Sequence, residues 1–469
     1  MPFRKSLPFS PREAYCDPLV TKGRMAPLIG SILKSKWFWL IVLASIAAFF
    51  RLTVVEQTIV DRPLRADAAE YYFTAYNLRV NGIYSRSTGA LVRPPAKVEP
   101  DAYRPPGLPL LIAAVTDQIA NARHVIERVQ STNVALGVAT VALIFLAAAA
   151  VLPLPAAIIV GLLVACSPHL VSFTTYVLTE TPAAFLVALL LAIAAIGVPS
   201  QRATRAMFFL GLGAIVGCLS LFRPAFLAFA PLLSLAFPDR RDKWRTLIFG
   251  CLGAAIVVAP WFIRNALNVP QTDAPSLLAT AMLEGSYPGL VYDGNKATFP
   301  YGGQFDPIFN ETRKSVARTL EVVARKIADD PVAMTRWYLL EKPVFLVQWD
   351  NIDGAGDVFI YPVRSTPFNK DMLFKLVHGA FHYSHYVVLI LAAIGAVTVW
   401  LLSETTQVAP SKQPVLRIAS LLFAFLYLIH IPFVVATRYS VPVFPAIYLL
   451  AVFAIVGFIF RLRQNPATK

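Results

Sequence analysis

The sequence predicts an all-α polytopic membrane protein with about ten transmembrane helices and further helices lying on its outer surface. Of its 469 residues, 57% are hydrophobic and only 15% charged, and the mean hydropathy is +0.61. That balance excludes an ordinary soluble enzyme. Apolar runs long enough to span a bilayer recur along the chain, and Lys and Arg collect in alternate connections between them.

The runs fall at Trp37 to Val55, Ser131 to Leu152, Ala156 to Tyr176, Pro182 to Val198, Ala206 to Leu221, Pro224 to Phe237, Thr246 to Ile263, Tyr386 to Leu402, Val415 to Ala436 and Val441 to Phe460. The run from Pro224 is short for a full span. A further run, Pro105 to Ala120, contains Pro109, Asp117 and Gln118. It reads as an outer-surface segment, because a span there would invert every later segment and turn the basic clusters outward.

With that choice the inner connections hold Arg202 and Arg205, then Arg240, Arg241, Lys243 and Arg245, then Lys412 and Arg417, and finally Arg461, Arg463 and Lys469. Together with the basic N-terminal tail, the inner face counts 18 basic against 5 acidic residues and so carries +13 of the +15 net charge. The positive-inside rule accounts for this asymmetry. The high pI therefore follows from topology and requires no nucleic acid partner.

The predicted organisation is a cytoplasmic tail over residues 1–36, with no cleavable signal pattern, and a transmembrane core over 37–263 that includes a first outer loop, 56–130. A large outer loop follows over 264–385, then closing spans over 386–460 and a cytoplasmic tail over 461–469. Long loops in compact proteins are usually functional. Ala68 to Val80 and Thr312 to Ile327 read as amphipathic helices, Trp337 to Trp349 as an aromatic-rich interfacial stretch, and Tyr287 to Gly303 as a Pro/Gly-rich loop. Cys16 falls inside and Cys166, Cys218 and Cys251 fall in spans, so no disulfide is predicted.

Asp67, Glu180, Arg223, Arg264 and Arg438 all fall on the outer side. Ionisable groups near the hydrocarbon are costly and by default mark a functional site. Each also has a plainer reading. Asp67 suits a helix N-cap, the favoured reading on residue type alone. Glu180 suits a charge at the water boundary, Arg223 a group that satisfies exposed helix carbonyls, and Tyr439 the aromatic belt.

The order of motifs adds to this. After Asp67 the chain reads Asp-x-x-x-Tyr-x-x-x-Ala-x-Asn-Leu and returns to the membrane through Tyr103-Arg104-Pro105-Pro106-Gly107. Leu178-Thr179-Glu180-Thr181-Pro182, Phe222-Arg223-Pro224, Pro260-Trp261-Phe262-Ile263-Arg264-Asn265 and Thr437-Arg438-Tyr439-Ser440-Val441-Pro442 follow. This ordered set resembles the GT-C superfamily of polyprenyl-phosphate-sugar-dependent glycosyltransferases, in the branch of the protein O-mannosyltransferases and lipid A aminoarabinose transferases.

The resemblance implies an inverting transferase that moves a sugar from a polyprenyl-phosphate donor to a glycan, lipid or protein acceptor, in a bacterial inner membrane with its site on the periplasmic face. Asp67 takes the place of the catalytic base and Glu180 that of a second acidic position. Arg104, Arg264, Arg438 and Arg223 are implied to contact the donor phosphate, and Tyr71, Tyr439 and Asn265 to contact substrate. The chemistry fits these residue types. An attacking hydroxyl or amine must lose a proton, and a departing phosphate needs preorganised cations. No cofactor is expected.

His378, His382 and His385 share one helical face at i, i+4 and i+7, a spacing that also suits zinc, but interfacial histidines are commoner and no metal is predicted. Alternative functions are a transporter or flippase, a polymerase or ligase using a diphosphate-linked donor, and a non-catalytic scaffold.

Overall fold

Helices α1 (Lys36–Gln57), α4 (Ala122–Val151), α8 (Arg202–Phe222), α10 (Arg240–Asn268), α15 (Met372–Leu401) and α16 (Gln413–His430) are each long and apolar enough to cross a membrane, as is the last one, α17 (Phe444–Gln464), with the turns before it. The computed structural model describes residues 34–88, 97–269, 276–288, 308–351, 356–401 and 408–464. Cys16, the basic residues up to Arg24, Lys469 and most of Tyr287 to Gly303 lie outside the described residues. Among the described residues, α5 (Leu154–Cys166) and α6 (Pro168–Ser172), the latter running on to Thr175, together are also long and apolar enough to cross but meet at a 46° bend, as a broken span or a re-entrant loop does. Two shorter apolar helices, α7 (Glu180–Ile196) and α9 (Pro224–Ala236), complete the set. Apolar side chains such as Ile41, Leu52, Ile256, Phe262, Ile390 and Val397 face outward and exposed, as lipid-facing positions do.

The bend between α5 and α6 has a chemical cause. Pro168 lacks an N–H, so the carbonyl of Val164, four residues earlier, loses its helical partner. Arg51, inside α1 and 1% exposed, supplies the replacement: its guanidinium donates to Val164 O at 3.3 Å and Ala165 O at 3.0 Å. This buried arginine is a structural member of the bundle that hydropathy alone does not mark.

α8 and α10 pack at backbone contact. A Cβ placed on Gly213 would lie 1.9 Å from Gly250 O, and one on Gly253 would lie 2.1 Å from Leu210 O. Small residues allow such close helix crossings in membranes. The crossing fixes the end of α8, and so Arg223, relative to the rest of the bundle. At the opposite end Arg205 meets Asp242 at 3.3 Å, which sets the connections before α8 and before α10 side by side.

Between α1 and α4 the chain forms β1 (Ile59–Val60), α2 (Ala66–Asn81) and the short α3 (Gly107–Val115). The Pro105 to Ala120 run is thus a nine-residue helix, too short to span. After α10 come α11 (Leu277–Glu284), α12 (Val316–Asp329), α13 (Pro331–Arg336), a π-helical turn and α14 (Lys342–Val347). β2 (Val363–Ser365) pairs antiparallel with β1, tying the segment after α10 to the one after α1. α15 starts at Met372, well before the apolar run at Tyr386, so His378, His382 and His385 are on the span's own helix.

α7 and α17 lie at the centre, with most of their side chains buried. α7 packs on α4 and α8, and α17 on α15, α16 and α5.

Candidate active site

α2 begins at Ala66, whose φ of +46° is unusual for a residue with a side chain, and ends at Gly82 in the left-handed conformation. Tyr361 from the segment after α10 donates its hydroxyl to Arg65 O at 3.1 Å and braces this start. Asp67, Glu70 and Tyr71 stand at i, i+3 and i+4, which puts them on one face of α2.

Arg104 closes on that face. Its Nη2 donates to Asp67 Oδ1 at 2.6 Å and its Nε to Glu70 Oε2 at 2.5 Å, while the guanidinium lies 5.3 Å from the Tyr71 ring. Arg104 is delivered by Pro105, Pro106 and Gly107, and a Cβ on Gly107 would sit 2.7 Å from Leu221 O, so α3 starts directly against the end of α8. From the far end of the chain, Arg438 Nη2 donates to the other Asp67 oxygen at 2.8 Å. Asp67 is therefore no helix cap: both its oxygens are held by guanidiniums. Burial alone would raise its carboxyl pKa, but Arg438 and Arg104 outweigh burial and hold it well below the usual range.

A second pair faces the first. Glu180, the first residue of α7 and 1% exposed, accepts from Arg223 Nη2 at 2.7 Å, and the Arg223 guanidinium lies 5.1 Å from the Tyr439 ring. Among the described residues, Glu180 Oε2 and Arg223 Nε are buried without a hydrogen-bond partner. Arg223 thus pairs with a carboxylate, leaving the helix carbonyls to other groups. Asp67, Tyr71, Arg104, Glu180, Arg223, Arg438 and Tyr439 all line one hollow of about 130 Å³, together with Leu178, Phe222 and Leu277.

Arg264 stands apart from this group. It donates to the backbone carbonyls of Asp101 at 2.6 Å and Tyr84 at 2.9 Å and to Asn265 Oδ1 at 2.9 Å, clipping the first outer loop to the end of α10. With Trp261, Tyr84, Leu110 and Leu221 it lines a neighbouring, largely apolar groove of about 540 Å³. The hollow and the groove meet across the adjacent residues Pro105–Pro106 and Leu221–Phe222. Asn265 lines neither.

The three histidines of α15 are engaged separately. His378 Nε2 bonds the Asp357 carboxylate at 2.8 Å, His385 Nε2 bonds Val347 O at 2.6 Å, and His382 stacks on Trp349 at 4.9 Å. Among the described residues no group of three or more His, Cys, Asp or Glu side chains is placed to hold a metal ion.

The archaeal oligosaccharyltransferase of Archaeoglobus fulgidus, solved with a tethered acceptor peptide carrying an NVT sequon, superposes with a TM-score of 0.51 at 14% identity over 94% of this chain. The two chains share a fold. The match covers 51% of the oligosaccharyltransferase, so this chain spans about half the length of that relative. ArnT from Cupriavidus metallidurans bound to undecaprenyl phosphate gives a TM-score of 0.45 at 13% identity, over 90% of this chain and 61% of that one. No family model matches the chain, and no curated protein matches it in sequence.

Two acids near the hollow are not marked by the sequence motifs. Glu70 shares Arg104 with Asp67, and its i+3 spacing from Asp67 on a helix is the one signal that points to it. Glu284, at the end of α11, has no such signal.

Proposed function

We propose that this protein is an inverting glycosyltransferase that moves a sugar from a polyprenyl-phosphate donor to a nucleophilic acceptor at the hollow around Asp67. The observation that carries this reading is the meeting, in one hollow, of three guanidiniums with two carboxylates from separate parts of the chain. Guanidinium forks match phosphate oxygens and stabilise the charge that develops as the phosphate leaves. The unmet Oε2 of Glu180 can accept a hydrogen bond from a sugar or acceptor hydroxyl. The GT-C fold and the ordered motifs support the same reading.

The basic connections lie at the end of the bundle away from the hollow, which favours a periplasmic site in a bacterial inner membrane with both termini cytoplasmic. The donor's prenyl tail stays in the bilayer, because each methylene drawn into water costs about 0.8 kcal/mol. Its phosphate reaches the arginines sideways.

The test uses the full chain in lipid nanodiscs with a panel of undecaprenyl-phosphate sugars. Transfer to endogenous envelope glycolipids or proteins is expected from at least one donor. Asp67→Asn should lower transfer about a hundredfold or more, and Arg104→Ala should weaken undecaprenyl phosphate binding. Absence of both transfer and phosphate binding in the native protein would sink the proposal.

A further inference from the structure

Tyr439 joins the two ion pairs of the hollow. Arg223, which pairs with Glu180, has its guanidinium 5.1 Å from the Tyr439 ring, and Arg438, which pairs with Asp67, has its own 5.4 Å from the same ring. Both lie within cation–π range, where the ring's electron-rich face attracts the charge. The place of this one ring therefore bears on where two guanidiniums stand.

The backbone alone leaves that place open. α16 ends at His430, and the chain runs irregularly over residues 431–436 before the single turn Thr437–Tyr439. Lys342, 2% exposed, donates to Ile431 O at 2.8 Å and Phe433 O at 2.9 Å, and Thr437 Oγ1 donates to Asp350 O at 2.9 Å. These bonds hold the main chain but leave the direction of the Tyr439 ring to the side chains around it.

His430 is one of those side chains, and its own place is fixed. Leu426 O can only accept, so His430 Nδ1 carries a proton and donates it at 2.7 Å. The imidazole then lies against the Tyr439 ring with centroids 5.4 Å apart and planes 22° from parallel, an offset stack. The stack pins the turn back onto the helix that precedes it. His430 itself does not line the hollow, so its action on the site runs through Tyr439.

We propose that His430 is a positioning residue for the donor phosphate: by stacking on Tyr439 it fixes the ring against which Arg223 and Arg438 present their guanidiniums. This rests on the glycosyl-transfer reading. An aliphatic side chain in place of His430 fills the space without setting the plane of the ring. Tyr439 then turns, the two guanidiniums lose their shared support, and the phosphate meets cations that are no longer preorganised.

The test measures undecaprenyl phosphate affinity and Tm of the full chain in lipid nanodiscs. His430→Leu should weaken binding about fivefold, the order expected for losing an aromatic pair, with Tm close to native. His430→Met, a second ringless variant, should behave alike, and His430→Phe, which restores a flat ring, should recover most of the affinity. In a Tyr439→Leu background His430→Leu should cost nothing further, because the ring it acts through is gone. Native affinity in both ringless variants overturns the assignment of His430 while glycosyl transfer stands. So does an equal loss in His430→Leu and His430→Phe, or a double variant in which the two losses multiply. A native protein that neither binds undecaprenyl phosphate nor transfers from any donor refutes the transfer reading itself.

Discussion

Asp67 and Arg438, 371 positions apart in the chain, meet at 2.8 Å and join the first outer helix to the turn before the last span. The contact closes the hollow and makes the stability of this end of the molecule sensitive to acid. Because the folded carboxyl sits below its ordinary value of 3.8, the pair's contribution is fully present above that value and is lost as pH falls below it. Thermal unfolding in detergent should therefore show a Tm that drops on acidification below about pH 4. Asp67→Asn should flatten that part of the profile.

Glu180 and Arg223 form a pair of which the acid is completely enclosed. Removing one partner strands a buried charge, so Glu180→Ala should cost about 3 kcal/mol. The double variant Glu180→Gln with Arg223→Gln should recover part of this. Denaturation midpoints of the two variants check the difference.

Arg51 replaces the hydrogen bond that Pro168 removes at the bend between α5 and α6. Arg51→Leu leaves the Val164 and Ala165 carbonyls buried and unmet, at a cost of about 2 kcal/mol. Undecaprenyl phosphate affinity should stay native in the folded fraction, since Arg51 does not line the hollow.

Arg264 clips Asp101 and Tyr84 to α10. Arg264→Ala should speed amide hydrogen exchange across residues 84–88 and 97–103 by about tenfold or more, following the loss of charge-assisted bonds of roughly 1.5–3 kcal/mol each. A purely phosphate-binding arginine would leave this exchange unchanged.

Gly213 touches the backbone of Gly250. Gly213→Val forces α8 and α10 apart and should lower both the folded yield and the Tm. The corresponding change at Gly211, which has open space around it, should be mild.

Much of this protein is legible in its amino-acid sequence. Hydropathy and basic connections are local properties, so they mark the apolar helices and sort the charged ends onto one face. The motif order then points to Asp67, Arg104, Glu180, Arg223 and Arg438, all of which line the hollow. The histidine spacing is equally visible, but spacing says nothing about partners, and those three rings go to an aspartate, a tryptophan and a backbone carbonyl.

Pairing belongs to the folded chain. Whether an arginine faces the hollow, as Arg104 and Arg438 do, or a loop carbonyl, as Arg264 does, depends on which helix ends are brought within about 3 Å of it, the reach of a hydrogen bond. The same holds for Glu284, whose proton affinity is set by burial and by Asp67, more than 200 residues away along the chain. Residue order alone dictates that charged segments gather at the ends of the bundle, because apolar runs must span. Packing in three dimensions selects which acid is paired with guanidiniums, as Asp67 is with Arg104 and Arg438, since electrostatic environment belongs to neighbours in space.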